Sequence, residues 1–207
     1  YLARRAKKID MKRAQRYEAE VPKGGGTVYL ATADEKGMML SFIQSNYMGF
    51  GSGVVVPGTG ISLQNRGAGF SLAPGHPNQV GPRKRPFQTI IPGFLTRGGQ
   101  PVMSFGVMGG NMQPQGHVQM VTRLVDYSQN PQACSDAPRW IVNTDWSVSL
   151  EDAVAGSVKE ELARRGHDIV PSQRPMFGFG GAQLIHRFED GYCAGSDHRK
   201  DGCAIGF

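Results

Sequence analysis

Two β-rich runs around a four-residue turn constrain this chain most. Thr27-Val28-Tyr29-Leu30-Ala31-Thr32-Ala33 and Met38-Met39-Leu40-Ser41-Phe42-Ile43-Gln44-Ser45 flank Asp34-Glu35-Lys36-Gly37, a pattern that predicts an antiparallel hairpin. Pro22 and Gly24-Gly25-Gly26 end any regular structure just before it and form an exposed connector. Thr27 therefore opens its strand directly after three glycines. A hairpin brings the distal ends of its strands together, so Ser45, 18 positions on, returns beside Thr27.

Before the connector, Leu2, Ala6 and Ile9 fall at helical spacing between charges and predict a short surface helix over 1–16. After the hairpin, Val54 to Val56 and Ile61 to Leu63 surround Pro57-Gly58 as edge strands or a tight turn, and residues 65–86 read as an irregular surface loop. Val102 to Val107 is a buried strand. Gly109-Gly110 then turns into a helix over 112–128 with Val118, Val121 and Val125 on one stripe. Asn130-Pro131 supplies a cap and a first-turn proline for a short helix towards Ala137. Strands follow at Arg139 to Val142 and Val148 to Leu150. An amphipathic helix over 151–165, with Val154, Val158, Glu161 and Leu162 at helical intervals, ends at Gly166. Two last strands lie near Gln183 to Phe188 and Tyr192 to Ala194. Helices set between blocks of antiparallel strands predict stacked layers of sheet and helix.

The 207 residues suit one domain with a full core. No run approaches the roughly 18 uninterrupted apolar residues of a membrane helix, so no membrane partner is expected. The 29 glycines and 13 prolines punctuate apolar runs without a period, as turn residues do. The net charge of +6 suggests an anionic partner until it is located. Residues 1–26 carry eight Lys/Arg against three acidic residues, whereas 27–207 carry 15 against 14. A nucleic-acid face spreads its cations more widely and interleaves aromatics, so nucleic acid is not the expected partner. Cys134, Cys193 and Cys203 are an odd set without CxxC or HxxxH spacing, which argues against a disulfide framework and a metal site and favours a reducing compartment. The chain begins at Tyr1 and nothing near it resembles a signal peptide, so it is expected to be a piece of a longer protein, cytoplasmic rather than periplasmic.

Thr27 carries the chemistry. Its plain alternative is a loop entering a strand. In the functional reading, the Gly26-Thr27 peptide is a self-cleavage site: glycines let the backbone distort and the Thr hydroxyl approach the preceding carbonyl. Cleavage frees an α-amine with a pKa near 8, a suitable base for a threonine nucleophile on the same residue.

The Thr after glycines, Phe50-Gly51-Ser52-Gly53, Lys84-Arg85-Pro86, Met108-Gly109-Gly110, Asp136-Ala137-Pro138-Arg139 and Gly195-Ser196-Asp197-His198-Arg199 together resemble the γ-glutamyltranspeptidases, N-terminal-nucleophile hydrolases. Residues 27–207 resemble the catalytic small subunit, and 1–26 the end of the large subunit with its linker. The resemblance implies an α+β fold, the αββα sandwich of stacked, mainly antiparallel sheets, and a precursor that cleaves itself before Thr27. It implies no cofactor or metal. It also implies a partner, the large subunit of the same precursor, in a heterodimer or dimer of heterodimers.

Residue by residue, Thr27 matches the nucleophile, Ser45 a hydroxyl that supports its amine, and Gly109 and Gly110 the oxyanion hole. Backbone N–H groups at a helix start carry partial positive charge and approach an oxyanion closely where no side chain intervenes. The departures concern substrate. Where the family holds an α-amino group with an acid and an amide, this chain has Gly69 and Arg66; where it holds the α-carboxylate with two serines, it has Gln88 and Thr89. Tyr47 replaces an Asn. Losing the acid and gaining Arg66 exchanges recognition of a cation for recognition of an anion. Gln44-Ser45-Asn46-Tyr47 with Gln64-Asn65-Arg66-Gly67 resembles the divergent branch of oxamate amidohydrolase and the cephalosporin-acylase-like members. The expected activity is hydrolysis or acyl transfer on a small carboxylate-bearing amide. A true γ-glutamyltransferase or glutathione hydrolase is the runner-up. The rival from another class is a noncatalytic module whose basic head docks on nucleic acid or acidic lipid.

Overall fold

The computed structural model describes residue 7 and residues 27–89, 91–172 and 178–207. The N-terminal helix, the glycine connector and Gly26 lie outside the described residues.

The hairpin forms as its sequence predicts: β1 (Thr27–Ala33) and β2 (Met39–Ser45) pair antiparallel with Thr27 opposite Ser45. Its turn holds the register. Asp34 Oδ1 accepts the N–H groups of Lys36 (3.0 Å) and Met38 (2.9 Å), Gly37 takes φ +86°, and Tyr192 OH donates to the Asp34 carbonyl at 2.9 Å. Val55 and Ser62 then form an isolated antiparallel bridge, so the predicted edge strands are the arms of a tight turn. The expected irregular loop contains one 3-10 turn, Arg66–Gly69.

The central sheet has the order β3 (Gly93–Arg97), β4 (Gln100–Met108), β8 (Gly181–Arg187), β9 (Tyr192–Ser196), all antiparallel. β1 packs against β4 and β8 on one side of it. Helix α1 (Met112–Val125) packs against β4 on the other, and α2 (Pro131–Asp136) against β8 and β9. The layers are therefore hairpin, four-stranded sheet and helices. β4 shows why this works. Its residues Met103 to Val107 are buried throughout, and successive side chains point to opposite faces. A Cβ at Gly106 would lie 2.6 Å from the Tyr29 ring, so the glycine admits the hairpin. Met103, Phe105 and Val107 join Met120, Leu124, Cys134, Ala182 and Leu184 in the core. Each such large apolar side chain contributes roughly 1.5–3 kcal/mol by leaving water.

The valine stripe expected on α1 is its buried face only at Val121, which packs against the core at partial burial. Val118 and Val125 are exposed, while Met112, Gly116, Met120 and Leu124, four residues apart, turn inward. Gly116 sets the choice, because a Cβ there would fall 2.5 Å from Val107 Cγ1. The helix docks on the face that lacks a side chain.

In α2, Asn130 Oδ1 accepts the Ala133 N–H at 2.8 Å, the predicted cap. A small sheet follows from β5 (Trp140–Val142), β6 (Val148–Leu150) and β7 (Ile169–Val170), antiparallel and then parallel. Helix α3 spans Gly156–Arg164 rather than 151–165 and buries none of its residues. Its expected first residue, Glu151, instead binds Arg199 and the Arg139 N–H.

Candidate active site

The hairpin register delivers the first contact: Thr27 Oγ1 lies 2.8 Å from Ser45 Oγ. Ser45 Oγ also accepts the Tyr47 N–H at 2.9 Å. These two residues open onto a cavity of about 1360 Å³ that is also lined by Tyr47, Arg66, Thr89, Gly109, Gly110 and Asn111. Strand β4 ends at Met108, immediately before the two glycines, and α1 begins at Met112 just after them. Their carbonyls are taken by the first helical turn, from Met112 N–H (3.2 Å) and Gln113 N–H (3.0 Å). Neither Gly109 nor Gly110 N–H has an acceptor among the described residues. Gly109 has φ +138°, and a Cβ on it would sit 2.9 Å from Gly180 Cα, so this position needs glycine.

Adjoining the large cavity is a smaller one of about 210 Å³, lined by Tyr47, Arg66, Gly69, Phe87, Gln88, Thr89 and Asn111. All four predicted substrate-side residues, Tyr47, Arg66, Gln88 and Thr89, meet here. Arg66 Nη1 donates to Thr89 Oγ1 at 3.3 Å, and its Cζ stands 5.2 Å from the centroid of the Tyr47 ring. A guanidinium over an aromatic face, with donor capacity to spare, suits a planar anion. Of the predicted site, Gly26 alone lies outside the described residues.

Two further residues escaped the sequence reading. Asn111 lines both cavities, and although asparagine is a preferred helix cap, its side chain makes no cap hydrogen bond. Its place directly after Gly109-Gly110 is the signal that could have found it. Asn65 sits behind Arg66 and bonds to the loop that carries Tyr47.

Two segments that carried the family resemblance, Asp136–Arg139 and Gly195–Arg199, do structural work beneath the site. Arg139 Nη2 bonds Asp197 Oδ2 at 2.5 Å, both side chains fully buried, and Arg199 bridges Asp197 and Glu151. Burial pushes the Asp197 carboxyl up, but Arg139 and the N–H groups of Ala182 and Arg199 outweigh it and hold it below the usual carboxylate range. On α1, burial pulls His117 down to about 4; its Nε2 accepts the Val107 N–H at 3.2 Å. The three cysteines are free thiols. Among the described residues no group of three His, Cys, Asp or Glu side chains could hold a metal ion.

The family model for gamma-glutamyltranspeptidase matches residues 1–207. The glutathione hydrolase-like YwrD proenzyme of Bacillus subtilis is 38% identical over 193 residues, covering 89% of this chain and 36% of its own length. The oxamate amidohydrolase proenzyme of Klebsiella pneumoniae is 38% identical over 197 residues, covering 90% of this chain and 37% of its own length. The chain thus spans little more than a third of these relatives. The crystal structure of a cephalosporin acylase from Bacillus halodurans is 49% identical and superposes with a TM-score of 0.76, over 97% of this chain and 37% of that one. It shares the α+β fold of stacked sheets and helices.

Proposed function

The chain belongs to the gamma-glutamyltranspeptidase family, and from that premise we propose that residues 27–207 are the catalytic part of a self-processing threonine amidohydrolase or acyltransferase acting on a small carboxylate-bearing amide. Residues 1–26 then end the large subunit, which is cut from the same precursor and remains its partner. The observation that carries the reading is the Thr27–Ser45 hydroxyl pair, 2.8 Å apart, on a cavity shared with Gly109 and Gly110.

The mechanism follows from these groups. After cleavage of the Gly26–Thr27 bond, the Thr27 α-amine takes the hydroxyl proton, directly or through a water, as Oγ1 attacks the amide carbon. Ser45 orients the pair. The N–H groups of Gly109 and Gly110 stabilise the oxyanion, each donor worth on the order of 3 kcal/mol. The ammonium returns its proton to the departing nitrogen, the C–N bond breaks, and an acyl-Thr27 ester remains. Water, or an acceptor amine in acyl transfer, gives up a proton to the freed amine, attacks the ester and restores the hydroxyl.

The substrate class rests on the small cavity. Arg66, with Thr89 and Gln88, would hold a carboxylate by charge-assisted hydrogen bonds and fix the neighbouring amide against Thr27. A γ-glutamyl substrate carries an ammonium group as well, and the described residues lining this cavity include no carboxylate. Oxamate-like amides fit this chemistry better.

Mass spectrometry of the full-length precursor and its Thr27→Ala variant tests the reading. The expected outcome is a new chain beginning at Thr27 in the wild type, and an intact, folded, inactive Thr27→Ala protein. Thr27→Ser should keep partial activity, since serine retains both hydroxyl and α-amine. Full amide turnover by homogeneous Thr27→Ala protein would refute the reading.

A further inference from the structure

Asn65 grips the chain on both sides of a residue in an unfavourable conformation. Its Oδ1 accepts the Met48 N–H at 3.0 Å, its Nδ2 donates to the Met48 carbonyl at 3.3 Å, and its backbone N–H donates to the Asn46 carbonyl at 3.3 Å. Between Asn46 and Met48 stands Tyr47 at φ +72°. The left-handed region costs a non-glycine residue roughly five- to thirtyfold in population. Such a conformation persists only where its surroundings over-determine it.

Two contacts of the site depend on how this loop is held. The 46–47 peptide, whose carbonyl accepts the Asn65 N–H, points the Tyr47 N–H at Ser45 Oγ (2.9 Å), which lies 2.8 Å from Thr27 Oγ1. The left-handed φ of Tyr47 then sets its ring under the Arg66 guanidinium, 5.2 Å away. Asn65 immediately precedes Arg66, so one residue ties the turn that carries the cation to the loop that carries the ring. The Gln64 side chain, accepting the Arg66 N–H, fixes the turn from its other side.

We propose that Asn65 is a positioning residue: by clamping the 46–47 peptide on one side and Met48 on the other, with Tyr47 held left-handed between them, it sets the nucleophile's hydroxyl partner and the anion subsite together. Asn65 itself touches neither substrate nor reacting atoms. The proposal rests on the amide-cleaving function argued above, and the experiment separates the two.

The full-length, self-processed protein is assayed on oxamate, glutaryl and γ-glutamyl amides, and on the carboxyl ester of whichever is cleaved fastest. Rates are expressed per site from the acyl-enzyme burst, so that a loss of folded protein does not count. If the wild type cleaves none of them, or Thr27→Ala cleaves as well as wild type, the amide-cleaving function fails and the proposal fails with it. With that function standing, Asn65→Ala should slow ester-capped and carboxylate substrates alike by about five- to thirtyfold, the population set free when the clamp is lost. It should also lower the carboxylate-to-ester ratio of kcat/KM about tenfold, because Arg66 loses its platform. The decisive comparison uses Tyr47→Gly. Glycine takes positive φ without strain, so in that background Asn65→Ala should slow the ester by less than about twofold. An unchanged carboxylate-to-ester ratio in Asn65→Ala, or the same slowing of the ester in both backgrounds, would overturn the proposal and leave Asn65 as a loop staple.

Discussion

Replacing Asp197 with Asn should remove several kcal/mol of stability, because this carboxylate has no spare capacity. Oδ2 accepts from Arg139 Nη2 (2.5 Å) and the Ala182 N–H (2.6 Å), and Oδ1 from the Arg199 N–H (2.9 Å) and Nη1 (3.1 Å). An asparagine keeps one oxygen, and its NH₂ faces two donors whichever way it turns. Arg139, fully buried, then hydrogen-bonds through its guanidinium to uncharged acceptors alone, the carbonyls of Phe179 and Ser135 among them. Removing one partner of a buried ion pair costs about 3–5 kcal/mol, a large share of the roughly 5–15 kcal/mol of a typical domain.

Glu151 is the internal control. It binds Arg199 at the edge of the same network, with side-chain exposures of 18% and 11%, and Arg199 keeps Asp197 when Glu151 is changed. Glu151→Gln should therefore cost about 1–2 kcal/mol. The pair Arg139→Met with Asp197→Leu should cost less than the sum of its singles, since no charge is left buried alone. Urea unfolding of the full-length protein, followed by near-UV circular dichroism, measures these variants and the two singles of the pair. Should Asp197→Asn fall within about 1 kcal/mol of wild type, or Glu151→Gln prove equally costly, the account of the network is wrong. The depressed Asp197 carboxyl also has a pH signature. Its contribution is complete above the unfolded-state value near pH 4 and is lost as pH falls through the lower folded value.

Arg66→Ala should leave self-cleavage intact and lower kcat/KM on carboxylate-bearing amides by about 10- to 150-fold, with Arg66→Lys recovering part; equal slowing of a neutral ester analogue would refute the clamp. Gly109→Ala should lower kcat by about 10²–10³-fold, because its Cβ collides with Gly180 and swings the N–H away, whereas Gly110→Ala, strained by its φ of +59° but with open space around its Cβ, should cost less; equal losses would count against Gly109 as the constrained donor. His117 stays neutral in the fold down to about pH 4 while the unfolded chain takes up its proton near pH 6.5. The unfolded state binds more protons in that window, so stability should fall by about 2 kcal/mol between pH 6.5 and 4 relative to His117→Gln, which does not titrate; parallel curves for the two proteins would refute it.

How much of this was legible in the sequence depended on how local the determining physics is. A hairpin with an Asp-Gly-bounded turn fixes its own register, so the meeting of Thr27 and Ser45 followed from residues 27–45 alone. The cap at Asn130 and the turn at Gly109-Gly110 are equally local. β3 was missed because Pro92-Gly93 and Gly98-Gly99 bracket a five-residue strand that shifts register at Leu95/Thr96, leaving too short a run for alternation to show. The buried face of α1 was misread because valine is the more apolar signal, whereas docking was decided by an absent side chain at Gly116 meeting Val107 on another element. The gathering of Tyr47, Arg66 and Thr89 has no periodicity to read. Tyr47 and Thr89 sit in irregular chain and Arg66 opens a single 3-10 turn, and the course of these segments is set by side-chain bonds such as those from Asn65 to Met48 and from Asn78 Oδ1 to the Phe87 N–H. The same division explains why the Asp136–Arg139 and Gly195–Arg199 segments carry family resemblance without lining the catalytic cavity by their charges. Their Arg139–Asp197 pair joins the start of β5 to the end of β9, and through the Ala182 N–H it braces β8 beside β4. β4 ends in Met108 and delivers Gly109 and Gly110, so a defect in that ion pair should reach the oxyanion donors by loosening the strand pair that aims them.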